Sequence, residues 1–160
     1  MNVLIAGIGN IFAGDDAFGC EVARLLMKRQ LPPNVRVVDF GIRGLDLAYA
    51  LMDKPDLTIL LDATPQGGDP GTIYTIEPDR KDLDCGAGES LDGHSVDPIR
   101  VLRIVQTMGG ELGRILLIGC EPEDLGGEEG CMGLTPVVAN AAEQAADIAV
   151  SLVQKEFVEV

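Results

Sequence analysis

Val3-Leu4-Ile5-Ala6-Gly7-Ile8-Gly9-Asn10-Ile11-Phe12-Ala13-Gly14-Asp15-Asp16-Ala17-Phe18-Gly19 decides how the chain is read. An apolar run entering Gly-x-Gly, with helical periodicity beyond it, is the start of a strand-loop-helix unit. A dinucleotide fingerprint would need a third glycine or small residue where the helix packs on the strand, and Phe12 stands there. Asp15 and Asp16 at the expected helix start would also repel a pyrophosphate from the positive helix end. The loop is therefore expected to face a cation.

The rest of the chain repeats the alternation. Asn2 to Ala6 reads as a buried strand and Asp16 to about Gln30 as a helix stopped by Pro32-Pro33-Asn34. Val35 to Asp39 reads as a second strand, the turn Phe40 to Gly44 follows, and Leu45, Ala48, Leu51 and Met52 recur at helical spacing. Leu57 to Asp62 is continuously apolar before its terminal carboxylate, the pattern of a strand covered on both faces. Thr72 to Ile76 alternates polar and apolar residues, as an exposed or antiparallel edge strand does. A helix from about Val96 to Met108, a strand from Arg114 to Gly119 and a helix from Val137 to about Val153, with Pro136 at its first position, complete the order. Pro78 to Ser95 and Glu121 to Thr135 are polar, acidic loops. The order βαβαββαβα predicts an α/β fold: a three-layer sandwich, with a mostly parallel twisted sheet of about five strands and helices on both faces. No repeat or linker divides residues 1–160, so a single domain is expected.

Composition narrows the function classes. The 160 residues are 46% hydrophobic and 24% charged, ordinary for a globular chain. With 26 acidic and 12 basic residues the formal charge is −14, which disfavours nucleic acid and anionic membrane surfaces as partners. No apolar run approaches the roughly 20 residues of a membrane span, and no basic-then-apolar leader precedes the first strand. Cys20, Cys85, Cys120 and Cys131 form no Cys-x-x-Cys pair and read as free thiols of a reducing cytosol; a Cys120–Cys131 bridge has no support. A cytoplasmic location follows as the expectation.

In open parallel sheets ligands bind beyond the carboxyl ends of the strands. Three donors fall there: Asp16 after the first strand, Asp62 closing the third, and His94 ahead of the helix near Val96. Two carboxylates and an imidazole suit nickel, zinc or manganese and leave positions for water or substrate. Each residue has a plainer reading as well. Asp15 reads best as a helix cap, and Asp16 could cap or project toward the crevice. Asp62 could be a turn residue, although a charge ending an apolar strand needs a partner. His94, the only histidine, could be a solvated loop side chain. Arg43, between Gly41 and Gly44, could reach a substrate carbonyl or carboxylate or remain in solvent. Asp39 could support the site or begin a turn. The acidic runs Glu121-Pro122-Glu123-Asp124 and Glu128-Glu129 read as solvated loop surface, or could meet a basic partner. No Gly-x-Ser-x-Gly elbow exists for a serine nucleophile, and no His-Glu-x-x-His pair for a self-contained zinc peptidase.

Gly7-x-Gly9-Asn10, Gly14-Asp15-Asp16-x-x-Gly19, Asp39-x-Gly41-x-x-Gly44, Leu61-Asp62-Ala63, His94 and the segment Gly119 to Val137 together resemble the nickel-iron hydrogenase maturation endopeptidases, nearly end to end. The resemblance implies a peptide-bond hydrolase, of the family grouped as aspartyl-type. Its partner would be the hydrogenase large-subunit precursor, from which it removes a C-terminal peptide once nickel has been inserted. The nickel arrives with the precursor and serves for recognition; another divalent metal could stand in its place. Asp16, Asp62 and His94 match the family's metal-contacting positions and would be both metal ligands and catalytic residues. Asp39 and Arg43 would bind substrate, and the enzyme is expected to act as a monomer. At the first ligand position the family commonly carries Glu, so Asp16 reaches one methylene less, with Asp15 as the neighbouring substitute. A non-catalytic nickel-binding accessory protein is the alternative from another class.

Overall fold

The computed structural model describes residues 1–79 and 97–158. Its elements are β1 (Val3–Ile8), α1 (Phe18–Met27), β2 (Val35–Gly41), α2 (Gly44–Met52), β3 (Leu57–Ala63), β4 (Ile73–Ile76), α3 (Pro98–Thr107), β5 (Arg114–Cys120) and α4 (Pro136–Val158). The five strands lie in the order β2-β1-β3-β5-β4. All pairings are parallel except β4 with β5, where Ile73 opposes Cys120 and Ile76 opposes Leu117. The alternation in Thr72 to Ile76 thus marks the antiparallel edge that it predicts.

Period-two alternation divides the core between the two faces. Val3, Ile5, Leu57, Ile59 and Leu61 pack with Phe18, Val22 and Leu26 of α1 and the small-residue face Ala141, Ala145, Ala149 of α4. Leu4, Ala6, Ile8 and Leu60 pack with Leu47 and Leu51 of α2 and Val101, Leu102 and Val105 of α3. These are the three layers expected.

Order and layering together define a crevice. From β1 the chain moves outward to β2 through α1 on one face, then returns past β1 to β3 through α2 on the other. The loops leaving β1 and β3 therefore diverge at their carboxyl ends, which is the topological switch point of the sheet.

The first loop differs from its expected form. A single helix from Asp16 does not occur; a 3-10 turn, Gly14–Ala17, precedes α1, which ends at Met27 rather than near Gln30. Phe12 is 61% exposed and plays no part in helix packing. Gly19 supplies the close approach instead: a Cβ there would collide with the carbonyl oxygens of Leu61 and Ile8. Gly9, at φ +146°, lies against the Asp16 carbonyl where a Cβ would also collide. The fingerprint's third glycine is displaced, and the residues between hold the two aspartates.

Candidate active site

Asp15 and Asp16 are neighbours with opposite environments. Asp15 is fully buried. Its carboxylate accepts from the backbone N–H of Glu123 (2.8 Å), Asp124 (3.0 Å) and Thr135 (2.8 Å), and from the Thr135 hydroxyl (2.9 Å). Burial alone would raise its pKa, but the donors from Asp124, Thr135 and Glu123 outweigh it and hold the carboxyl below its ordinary value. Neither the 3-10 turn nor α1 has a side-chain cap, so the capping role expected of Asp15 is corrected. The side chain fastens the 121–135 loop to the 9–17 loop, and none of its oxygens is left to replace Asp16 at a metal.

Among the described residues Asp16 has one such bond, from Asn10 N–H to Oδ2 at 2.8 Å. Burial raises its pKa and the Asn10 donor only partly offsets this. Asp62, opposite Gly119 in the β3–β5 register, follows Leu61, whose partner on β1 is Gly7. Its carboxyl is pushed well above the usual range, first by burial and then by the negative charge of Asp16; Asp97 adds to the rise, and the Ala63 N–H opposes it. Asp97 caps α3 by accepting from Ile99 N–H at 3.0 Å, with Pro98 at the first helical position. Thus the turn after β1, the end of β3 and the start of α3 bring negative charge to the switch point, with few donors among the described residues to neutralise it. A carboxylate pair of this kind favours either a shared proton or a cation.

Asp39 and Arg43 are brought together, but away from that pair. Asp39 alternates with Phe40, whose side chain packs beneath α2, so its own carboxylate faces α1 on the other side of the sheet. There it accepts from Gly41 N–H (3.0 Å) and lies 3.6 Å from Arg24 Nε. The Arg43 guanidinium donates to the carbonyls of Asp39 (2.7 Å) and Phe40 (3.1 Å) and pairs with Asp46 at 3.4 Å. The two residues line a cleft of about 270 Å³ with Gly9, Asn10, Ile11 and Arg24. Asn10 connects cleft and carboxylate pair through its bond to Asp16.

His94, the third expected ligand, lies outside the described residues. Among those described, no three His, Cys, Asp or Glu side chains converge as a metal cluster. Cys20, Cys120 and Cys131 are free, so the Cys120–Cys131 bridge does not form. Burial holds Cys20 and Cys120 as neutral thiols, Cys20 far above its ordinary value and Cys120 pushed up to about 11. Neither is an activated nucleophile.

Glu121 corrects the reading of its acidic run as surface. It is 5% exposed, and Oε1 accepts from Gln66 N–H (2.8 Å), Gly68 N–H (2.9 Å) and the Tyr74 hydroxyl (2.8 Å). Burial would raise its pKa, but these donors lower it. The signal was present in the sequence, because Glu121 ends the apolar strand β5 just as Asp62 ends β3. What separates them is satisfaction among the described residues: Glu121 is surrounded by donors there, whereas Asp62 has only the Ala63 N–H.

Comparison with known proteins bears on the family and the fold. Residues 20–152 match the family described as hydrogenase maturation protease, HycI. A Methanocaldococcus jannaschii chain provisionally named as a hydrogenase maturation protease is 35% identical over 96% of this chain and 97% of its own length. The hydrogenase expression/formation protein HupD of Rhodobacter capsulatus is 36% identical over 86% of this chain, which spans 64% of that relative. The solved structure of the hydrogenase maturating endopeptidase HybD from E. coli superposes with a TM-score of 0.77 at 26% identity, covering 98% of this chain and 94% of that one. Among the described residues no helix is long and apolar enough to cross a membrane. The chain belongs to the hydrogenase maturation protease family and is a peptide-bond hydrolase.

Proposed function

We propose that this chain cleaves a C-terminal peptide from the nickel-loaded large-subunit precursor of a nickel-iron hydrogenase, in the cytoplasm and as a monomer. Nickel arrives as part of the substrate and is gripped by Asp16, Asp62 and His94. The supporting observation is the buried carboxylate pair, which has few donors among the described residues and in which burial and the charge of Asp16 push the Asp62 carboxyl well above its ordinary range. A divalent ion held there would neutralise the pair. His94 stands three positions before Asp97, whose charge Asp62 already feels.

Gripping the nickel fixes the precursor, and with it the peptide bond to be cut. The ion, already held by the precursor's thiolates, supplies Lewis acidity toward the peptide carbonyl or a bound water. The cleft of Asp39 and Arg43, one hydrogen bond from Asp16, suits the extended peptide next to that bond. The neutral buried thiols of Cys20 and Cys120 and the lack of a serine elbow favour this chemistry over a protein nucleophile, so serine reagents, and thiol reagents once the exposed Cys131 is replaced by Ser, should leave activity intact.

The test is to mix the protein with nickel-loaded precursor and weigh the precursor before and after. Loss of a C-terminal peptide is expected. An unchanged mass with authentic precursor, while nickel still binds, would assign the chain to the accessory class.

A further inference from the structure

We infer that Phe12, Leu125 and Met132 form a preformed docking surface for the folded body of the precursor, taking a patch that is apolar at its centre and basic around it. The inference rests on the protease reading above and adds how the substrate protein is held apart from its scissile segment.

The three side chains are 61%, 46% and 69% exposed. They sit on two loops distant in sequence but joined side by side: Cys131 N–H donates to the Phe12 carbonyl (2.9 Å), Gly14 N–H to the Cys131 carbonyl (2.8 Å), and Asp15 N–H to the Asp124 carbonyl (2.8 Å). Every anchor lies within one residue of an exposed apolar side chain. Phe12, Leu125 and Met132 therefore share one region of surface, on backbone that the buried Asp15 carboxylate locks from below. Large apolar groups on fixed backbone bind without a further cost of ordering the main chain, and aromatic and Met side chains are enriched in interface centres. The region borders the carboxylate pair, since Phe12 N–H donates to Asn10 Oδ1 (2.9 Å) and Asn10 N–H donates to Asp16.

Charge selects the occupant. Glu123, Asp124, Glu128 and Glu129 lie exposed on the same loop. No Lys or Arg occurs between Met1 and Ala23 or between Ile115 and Gln154, so neither loop brings a cation to the surface. A second copy of this chain, at net charge −14, would meet like charge. A partner surface with Lys or Arg around an apolar knob is complementary, and the precursor is the macromolecule that must come this close to Asp16.

The double variant Phe12→Ser/Met132→Ser changes only exposed side chains and should keep the wild-type melting temperature. With nickel-loaded precursor its KM should rise at least about tenfold while kcat stays within about twofold, the signature of lost uniform binding. Glu128→Lys/Glu129→Lys should raise KM and flatten its dependence on salt, whereas Tyr49→Ser, 59% exposed on α2, should change neither. If the wild type cleaves and the double variant shows an unchanged KM, the docking surface is wrong and the protease reading stands. If the wild type leaves authentic precursor intact, both fall. A wild-type dimer in sedimentation that Phe12→Ser abolishes would give the patch to a second copy and overturn the inference.

Discussion

Asp15 and Asp16 are adjacent in sequence, yet one is tied into the fold and the other carries the site role proposed above. Asp15 is enclosed by donors from Glu123, Asp124 and Thr135, and its pKa falls. Among the described residues Asp16 receives one donor, its charge acts on Asp62, and the pKa values of both rise. Burial is common to the two regions and does not distinguish them. The balance of donors does, since a carboxylate that the fold itself satisfies has nothing left to offer a ligand. Glu121 obeys the same rule, ending an apolar strand but enclosed by Gln66, Gly68 and Tyr74.

The sharpest way to break this contrast is to remove charge from the unsatisfied side. Asp62→Asn and Asp16→Asn should each lower cleavage of the nickel-loaded precursor about a thousandfold or more, equivalent to roughly 4 kcal/mol, without loss of fold. His94→Ala should do the same. The measurement is the rate of peptide release by mass spectrometry, paired with circular dichroism. Cleavage by Asp62→Asn at the wild-type rate would mean that the pair is only structural.

On the satisfied side the expected loss is of stability. Asp15→Ala removes the acceptor for three backbone N–H groups and one hydroxyl, and should cost about 3 kcal/mol in urea unfolding. Amide exchange at Glu123, Asp124 and Thr135 should quicken beyond the global change, because those donors are released with the loop. Asp15→Asn keeps one acceptor oxygen and should lose about half as much. A change below about 0.5 kcal/mol would show that the loops are held by their backbone bonds alone.

Local signals carried most of the fold. Apolar runs located β1, β2, β3 and β5, alternation marked β4 as the antiparallel edge, and Pro136 stands at the first position of α4 as its fixed φ favours. Asp16 and Asp62 fall at the switch point of the sheet, as their places after β1 and at the end of β3 predict. What escaped was non-local. Asp15 looked like a cap because its true partners lie 108 to 120 residues away. Glu121 looked like surface because Gln66 and Gly68 lie more than 50 residues earlier. Gly19 was not recognised as the packing glycine because the 3-10 turn inserted before α1 shifts the fingerprint's spacing. Periodicity describes which face a residue takes, whereas hydrogen-bond satisfaction depends on what the fold brings to that face.

The smallest expected effect, and the most direct reading of the contrast, is in the pH dependence of the metal-free protein. Asp62 has a raised pKa in the fold, so the native state binds its proton more tightly than the unfolded chain does. Stability from this group is therefore full below the unfolded carboxylate pKa of about 3.9 and declines as pH rises through the raised value. Asp16 acts in the same direction. Asp15 has the opposite sign: its contribution is full above the unfolded pKa and is lost as pH falls through its lowered one. Asp62→Asn removes the decline without touching Asp15. The metal-free variant should melt above wild type at pH 7, by about 2–4 °C for each kcal/mol relieved, and the two curves should converge near pH 3–4. Nickel ion alone should raise the wild-type melting temperature more at pH 8 than at pH 5, because the pair must be deprotonated to bind it, and should leave Asp62→Asn nearly unmoved. Coincident melting of the two metal-free proteins from pH 4 to 8 would show that Asp62 is as well satisfied as Asp15, and the distinction between the two regions would fail.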